Sequence, residues 1–410
     1  MKRIARIIGW GLVWVTAILC LAAVIVPRFL DRLYYRGATS DHFDGARFFN
    51  PDVDDTTHPS GPDGRAGFLW RQASGSDGRP PWPASVPVTP ASPTELLPPT
   101  TLPARDPART PMRVTWIGHA SALVQTPRLN ILTDPVWNER AGPFGFGPKR
   151  VAAPGIALAD LPKIDLILLS HNHYDHLDLT TLTALWRRDR PTIVTSLGND
   201  AILRSAGIDA IALDWRQAAR LGGATVHVVR NHHWGSRWFA DRNRALWSAF
   251  TVDLPGGNLF FAGDTGLSDG GWVEEARALG PFRLALIPIG AFRFQPGQMA
   301  SGAHIGPVDA LRVFNRLGAW RGMAIHWGTF RLSYEGWATP PRLLTAAKAC
   351  GGEGEPSSYG ASFGTVPIGR PVDIPPIAFV PAPPQVVAPS AVDWRAVPAC
   401  MDTPAVRALR

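Results

Sequence analysis

Residues 168–178 read LLSHNHYDHLD, with three histidines and two aspartates in the last eight positions. The apolar run just before them, IDLILLS, is a strand pattern that would carry His171 to the edge of a sheet. His171 and His173 are two apart, so in an extended chain they point the same way. Asp175 and His176 follow where the chain must turn. Neutral imidazoles and a carboxylate are the donors that zinc and similar borderline ions prefer. A solvated polar loop is the plain alternative, yet four donors in six positions, H-x-H-x-D-H, rarely arise from packing alone.

Four neighbours in sequence cannot all close one tetrahedron, so partners must come from elsewhere. VVRNHHW puts His232 and His233 at a strand end, FFAGDTG does so for Asp264, and GMAIHWGTF for His326. Gly263 and Gly266 let the backbone turn tightly on either side of Asp264. Any one of these residues alone would read as a satisfied strand end. Taken with H-x-H-x-D-H, and counting one of the adjacent histidine pair, they make seven donors. One tetrahedral ion takes four, so the set points to two metals. Two ions about 3.5–4 Å apart can activate a shared water and stabilise charge on a group under attack.

These donors need strands to hold them. Strand-like runs occur at 113–126, 129–136, 163–170, 191–196, 224–230, 248–254, 258–264 and 284–291. Helical runs intervene at LTTLTALWRRD, GWVEEARALG and GPVDALRVFNRLG. The mixture predicts a layered α/β (α+β) domain over 112–367.

The whole chain has 410 residues, 45% hydrophobic and 18% charged, with 40 Gly and 40 Pro. That is enough for a sizeable core with many loops. The net charge is +8, but the arginines are spread along the chain, which argues against a nucleic-acid stripe. Residues 7–26, IIGWGLVWVTAILCLAAVIV, carry no charge and would span roughly 30 Å as a helix, one hydrocarbon core. The run is too long for a signal h-region and lacks a small-x-small site, so residues 1–36 are expected to form an uncleaved single-pass anchor, in a bacterial inner membrane. Lys2, Arg3 and Arg6 precede it and Arg28, Arg32 and Arg36 follow, so charge does not choose the face. Residues 37–111 are expected to be a Pro-rich linker or strap, and 368–410 a Pro-rich extension. Cys350 and Cys400 could pair or stay free, and Cys20 lies in the apolar run.

The longer motifs WIGHAS, LTDPVWNERAGPFGFGPKR, IDLILLSHNHYDHLD, FFAGDTG, LIPIGAF and IHWGTF, in that order, resemble the metallo-β-lactamase-fold hydrolase superfamily. The nearer match is its branch of N-acyl-phosphatidylethanolamine-hydrolysing phospholipases D and their bacterial relatives. The resemblance implies a four-layer αββα sandwich, here preceded by one transmembrane helix. It implies one zinc on His171, His173 and His233, a second on Asp175, His176 and His326, and Asp264 bridging them. Asp175 and Asp264 would also orient the attacking water. His304, in SGAHIGP, matches a pocket histidine that could bind phosphate or protonate the leaving group; as the plainer alternative it caps the helix near Pro307. The family usually has an acid two positions later, where this chain has Gly306. His119, His232, Asp178 and Trp234 would support the ligands or line the substrate path, Asp178 alternatively as a helix cap. The segment HHWGSRWFADRN suits a lipid-accessible mouth, or equally a strand end in the core. The implied function is a membrane-anchored dizinc phosphodiesterase acting on glycerophospholipids. Alternatives are a lactonase or other ester or amide hydrolase of the same fold, and a non-catalytic envelope binding protein.

Overall fold

Two seven-stranded sheets face one another in this computed structural model, which describes residues 2–53, 55–56, 80–96, 110–238, 240–295, 297–351, 362–377 and 393–409. The first sheet holds β1 (Met112–Gly118), β2 (Ser121–Gln125), β3 (Asn130–Thr133), β4 (Leu166–Leu169), β5 (Thr192–Ser196) and β6 (Ile211–Leu213) in chain order. The second holds β7 (Ala218–Leu221), β8 (Ala224–Val229), β9 (Ala249–Asp253), β10 (Asn258–Phe261), β11 (Phe282–Pro288), β12 (Arg321–Ile325) and β13 (Ser362–Gly364), again side by side. Both sheets are mixed, antiparallel where short turns join the strands and parallel from β3 to β6 and from β10 to β13.

Strand periodicity explains the layers. Leu166 and Leu168 of β4 face the core between the sheets, while Ile167 and Leu169 face outward. Those outward residues pack on Leu182 and Leu185 of the helix Leu179–Asp189 and on Ile202 and Leu203 of Asn199–Arg204. On the other side, Phe260, Ala285 and Ile287 pack on Gly271–Arg277, Pro307–Leu317 and Thr339–Cys350. The order helix, sheet, sheet, helix is the αββα sandwich.

A helix, Lys2–Leu30, runs one turn past Pro27, and its stretch Arg6–Val26 is exposed and apolar enough for a membrane span or a signal sequence. Residues 40–50 then fold onto the body, because their aromatic rings fill the core. Phe43 and Phe48 are buried there, and His42 stacks on Trp215 with centroids 4.4 Å apart. The first sheet also reaches beyond residue 367, since β14 (Pro371–Ile374) pairs antiparallel with β1. Cys350 and Cys400 are disulfide-bonded, which ties the C-terminal turns to the body. Residues 97–109 of the Pro-rich linker and 378–392 of the tail lie outside the described residues.

Candidate metal centre

The site grows from strand ends. β4 stops at Leu169, and the loop carrying His171, His173, Asp175 and His176 turns immediately after. Arg237 holds that loop from beneath. Its buried guanidinium donates to the carbonyls of Asn172 and Leu177, each at 2.9 Å, and lies 3.9 Å from the Tyr174 ring centroid. β8 ends before His233, β10 before Asp264, and β12 before His326. The ends of four interior strands therefore deliver all the donors to one place.

Within that place, side-chain atoms of His171, His173 and His233 come within 4.8 Å of one another, as do those of His119, Asp175, His176 and His326. Asp264 stands between the two groups. Its Oδ2 lies 3.1 Å from His176 Nε2, 3.0 Å from His326 Nε2 and 3.9 Å from His233 Nε2. The far nitrogens of three histidines are tied back, which aims their near ones inward. His233 Nδ1 donates to the carbonyl of Ala303 at 2.9 Å, His171 Nδ1 meets Ser170 Oγ at 2.9 Å, and His176 Nδ1 meets Asp134 Oδ2 at 2.6 Å. His119, Asp134 and His326 all have positive φ, at 53°, 30° and 61°. Strain of this kind persists where the surroundings over-determine a residue's position.

The remaining singled-out residues separate clearly. His232 turns away from its neighbour and pairs with Asp52 at 3.2 Å and Asp55 at 2.7 Å, both from the N-terminal segment. Asp178 caps the helix Leu179–Asp189 by accepting from the backbone N–H of Thr180 and Thr181. His119 Nε2 bonds Asp175 Oδ2 at 2.9 Å, and Trp234 packs 4.3 Å from the His173 ring. His304 lies 3.8 Å from Asp264 Oδ2 with its side chain 11% exposed. It caps nothing, because the N-cap of Pro307–Leu317 is Gly306 without a side-chain bond. A Cβ at Gly306 would run into the Met299 carbonyl, so an acidic side chain has no room there. Sequence reasoning passed over Asp134, whose only signal is its place at the end of β3 in LTDPVW. It also missed Asn50, which donates to the His233 carbonyl at 2.9 Å.

The two donor groups differ in their electrostatics. Burial opposes ionisation of Asp175 and Asp264, yet the charge of His176 and its hydrogen bonds hold both well below the usual carboxylate range. Burial likewise opposes protonation of His326, but Asp264 and Asp175 lift it to about 9. The three-histidine group behaves oppositely. Burial pushes His171 and His233 well down and His173 to about 3, which keeps these imidazoles neutral and able to donate lone pairs. Asp264 Oδ1 and His304 Nδ1 are buried without a hydrogen-bond partner among the described residues. Neutral imidazoles, ionised carboxylates and unpartnered polar atoms around one space fit a resident metal.

Comparisons with known proteins agree with this geometry. Residues 129–327 match the family described as Beta-lactamase superfamily domain. An uncharacterized protein of Mycobacterium tuberculosis is 37% identical over 245 residues, covering 58% of this chain and 64% of that protein. The chain thus spans somewhat under two-thirds of that relative's length. The N-acyl-phosphatidylethanolamine-hydrolyzing phospholipase D 1 of Caenorhabditis elegans is 35% identical over 56% of this chain and 67% of its own. The mitochondrial protein of that name from Saccharomyces cerevisiae is 32% identical over 63% and 56%. Among solved structures, an isothiocyanate hydrolase from Delia radicum gut bacteria superposes with a TM-score of 0.50 at 19% identity, covering 64% of this chain and all of that one. At that identity the likeness speaks for the fold. Two facing mixed sheets, donors gathered at their strand ends and these relatives together place the chain in the metallo-β-lactamase-fold superfamily of metal-dependent hydrolases, alongside proteins named N-acyl-phosphatidylethanolamine-hydrolyzing phospholipase D.

Proposed function

We propose that this chain is a membrane-anchored phospholipase D-type phosphodiesterase that acts on glycerophospholipids and holds two zinc ions. The observation that carries the reading is the pair of donor groups on either side of Asp264. His171, His173 and His233 would hold one ion, Asp175, His176 and His326 the other, and Asp264 would reach both. When bound, the ions would supply Lewis acidity and an activated water. The protein's own groups do the rest. His119 fixes the orientation of Asp175, Asp134 fixes His176, and His304 stands where it can hydrogen-bond a phosphate oxygen.

The names of the worm and yeast relatives support a phospholipid substrate. The exposed apolar stretch Arg6–Val26 supports an anchor in the inner membrane. The Cys350–Cys400 bond supports placing the body on the oxidising side, where disulfides last. The test is to incubate the purified chain with labelled N-acyl-phosphatidylethanolamine, phosphatidylethanolamine and phosphatidylcholine and identify the products. Phosphatidic acid with release of the head group is expected. Cleavage of a lactone with no phosphodiester broken would overturn the substrate, and well under one metal per chain would overturn the two-ion centre.

A further inference from the structure

Outside the N-terminal helix, Phe144 and Phe146 are the most exposed large apolar residues among those described, at 83% and 72%. They form the tip of a glycine-flanked hairpin, Gly-Pro-Phe-Gly-Phe-Gly over 142–147, closed by a bridge between Arg140 and Lys149. Phe144 sits at φ 53° and ψ 28°, a backbone region that bulky residues rarely adopt, with its ring still in water. Neither ring takes part in the metal centre or the core.

The tip lies beside the exit of the N-terminal helix. Phe144 contacts Trp238 with centroids 5.8 Å apart, and the Arg32 guanidinium lies 4.8 Å from the Trp238 ring centroid. Arg32 comes two residues after the helix ends at Leu30. The chain leaving that helix is pinned there by Asp31 to Arg47 and Arg244, and by the Tyr34 hydroxyl, which donates to Asp241 at 2.8 Å. The same 234–244 loop begins at Trp234, against His173 of the metal centre. Charge around the tip is mostly basic, from Arg32, Arg140 and Lys149, with Glu139 paired to Lys149.

We propose that this tip is a lipid-docking element. Phe144 and Phe146 enter the interface of the bilayer that the helix crosses, and so hold the rim of the metal pocket against the lipid surface. The inference rests on the membrane-anchor part of the proposed function. Lipid is the occupant because a tip two rings wide falls far short of the roughly 800 Å² per partner that a stable protein interface buries. Aromatic rings beside basic residues at the end of a membrane helix suit the headgroup region instead.

The test uses the full chain, one copy per nanodisc of phosphatidylethanolamine and phosphatidylglycerol, with the fluorophore NBD on single cysteines. One label sits on Phe146→Cys in a Cys20→Ser background, a second on the native Cys20, and a third on the exposed Arg187→Cys in the Cys20→Ser background. Dithionite should quench the tip label several-fold more slowly than the Arg187→Cys label. Equal quenching of those two, with the Cys20 label protected, would overturn the docking element and leave the anchor standing. Free quenching at Cys20 would overturn the anchor, and the inference with it. Protection of the tip only when two copies share a disc would seat a second copy there, and would overturn the lipid assignment.

Discussion

Asp134 takes a hydrogen bond from His176 Nδ1 and two more from Ser170, all out of reach of water. Carboxylates behind metal-binding histidines are typically worth 10–100-fold in metal affinity, so Asp134→Asn should weaken metal binding by roughly that factor. Chelator competition with the folded protein checks it; unchanged affinity would reduce Asp134 to a support for Ser170. His304 makes the opposite prediction. His304→Gln should leave the metal content of the parent protein unchanged and lower kcat by roughly 100- to 10,000-fold, the range of general acid–base groups. Loss of metal in that variant would make His304 a ligand instead. The donors themselves were legible because H-x-H-x-D-H and the strand-end residues are unusual in type and spacing. Asp134 and Asn50 were not, since a lone aspartate or asparagine is common and its partner is far off in sequence.

At the scale of elements, the strand ends matter more than the strands. Gly263 carries the chain from β10 to Asp264 with φ 59°, and a Cβ there would stand 2.8 Å from the Ser170 side chain. Both strain and contact oppose a larger residue, so Gly263→Ala should cost about 1–3 kcal/mol, visible as a lower Tm, and should displace Asp264 enough to reduce bound metal. A variant with wild-type Tm and full metal would contradict this. Buried strands such as β4 and β11 were readable as unbroken apolar runs. β6 and β7 are short and partly exposed, and β14 looked like Pro-rich tail, so periodicity did not mark them. The helix Thr339–Cys350 escaped notice because its buried apolar side chains are few, chiefly Leu343, Leu344 and Ala347.

Across the whole molecule, the N-terminal segment is held by charge as well as by rings. His42 bonds Asp41 at 2.5 Å and Asp214 at 2.7 Å, with Arg216 beside Asp41 and the rings of Trp215 and Phe48 stacked against it. Burial opposes its protonation, but the two aspartates win and raise its pKa above the ordinary 6.5. A raised folded pKa means that this contribution to stability is complete below the unfolded value and is lost as pH climbs through the folded one. Hydrogen exchange over residues 40–50 should therefore quicken as pH rises above about 6.5, beyond the intrinsic base-catalysed rate, and His42→Gln should flatten that excess. An excess independent of pH in the parent protein would contradict the assignment.

That docked segment has a further consequence for how the pocket is completed. Asn50 meets His233 across 183 residues, and Asp52 meets His232 across 180. This segment is made long before its partners and must wait for residues 232 and 233 before it can be seated. Replacing both aspartates in the full chain, Asp52→Asn with Asp55→Asn, would keep both sheets and all seven donors, yet would leave His232 without its charged partners. That variant should fold and still release metal faster than the parent protein in a stopped-flow chelator assay. Faster release would make the seated N-terminal segment part of what retains the metal.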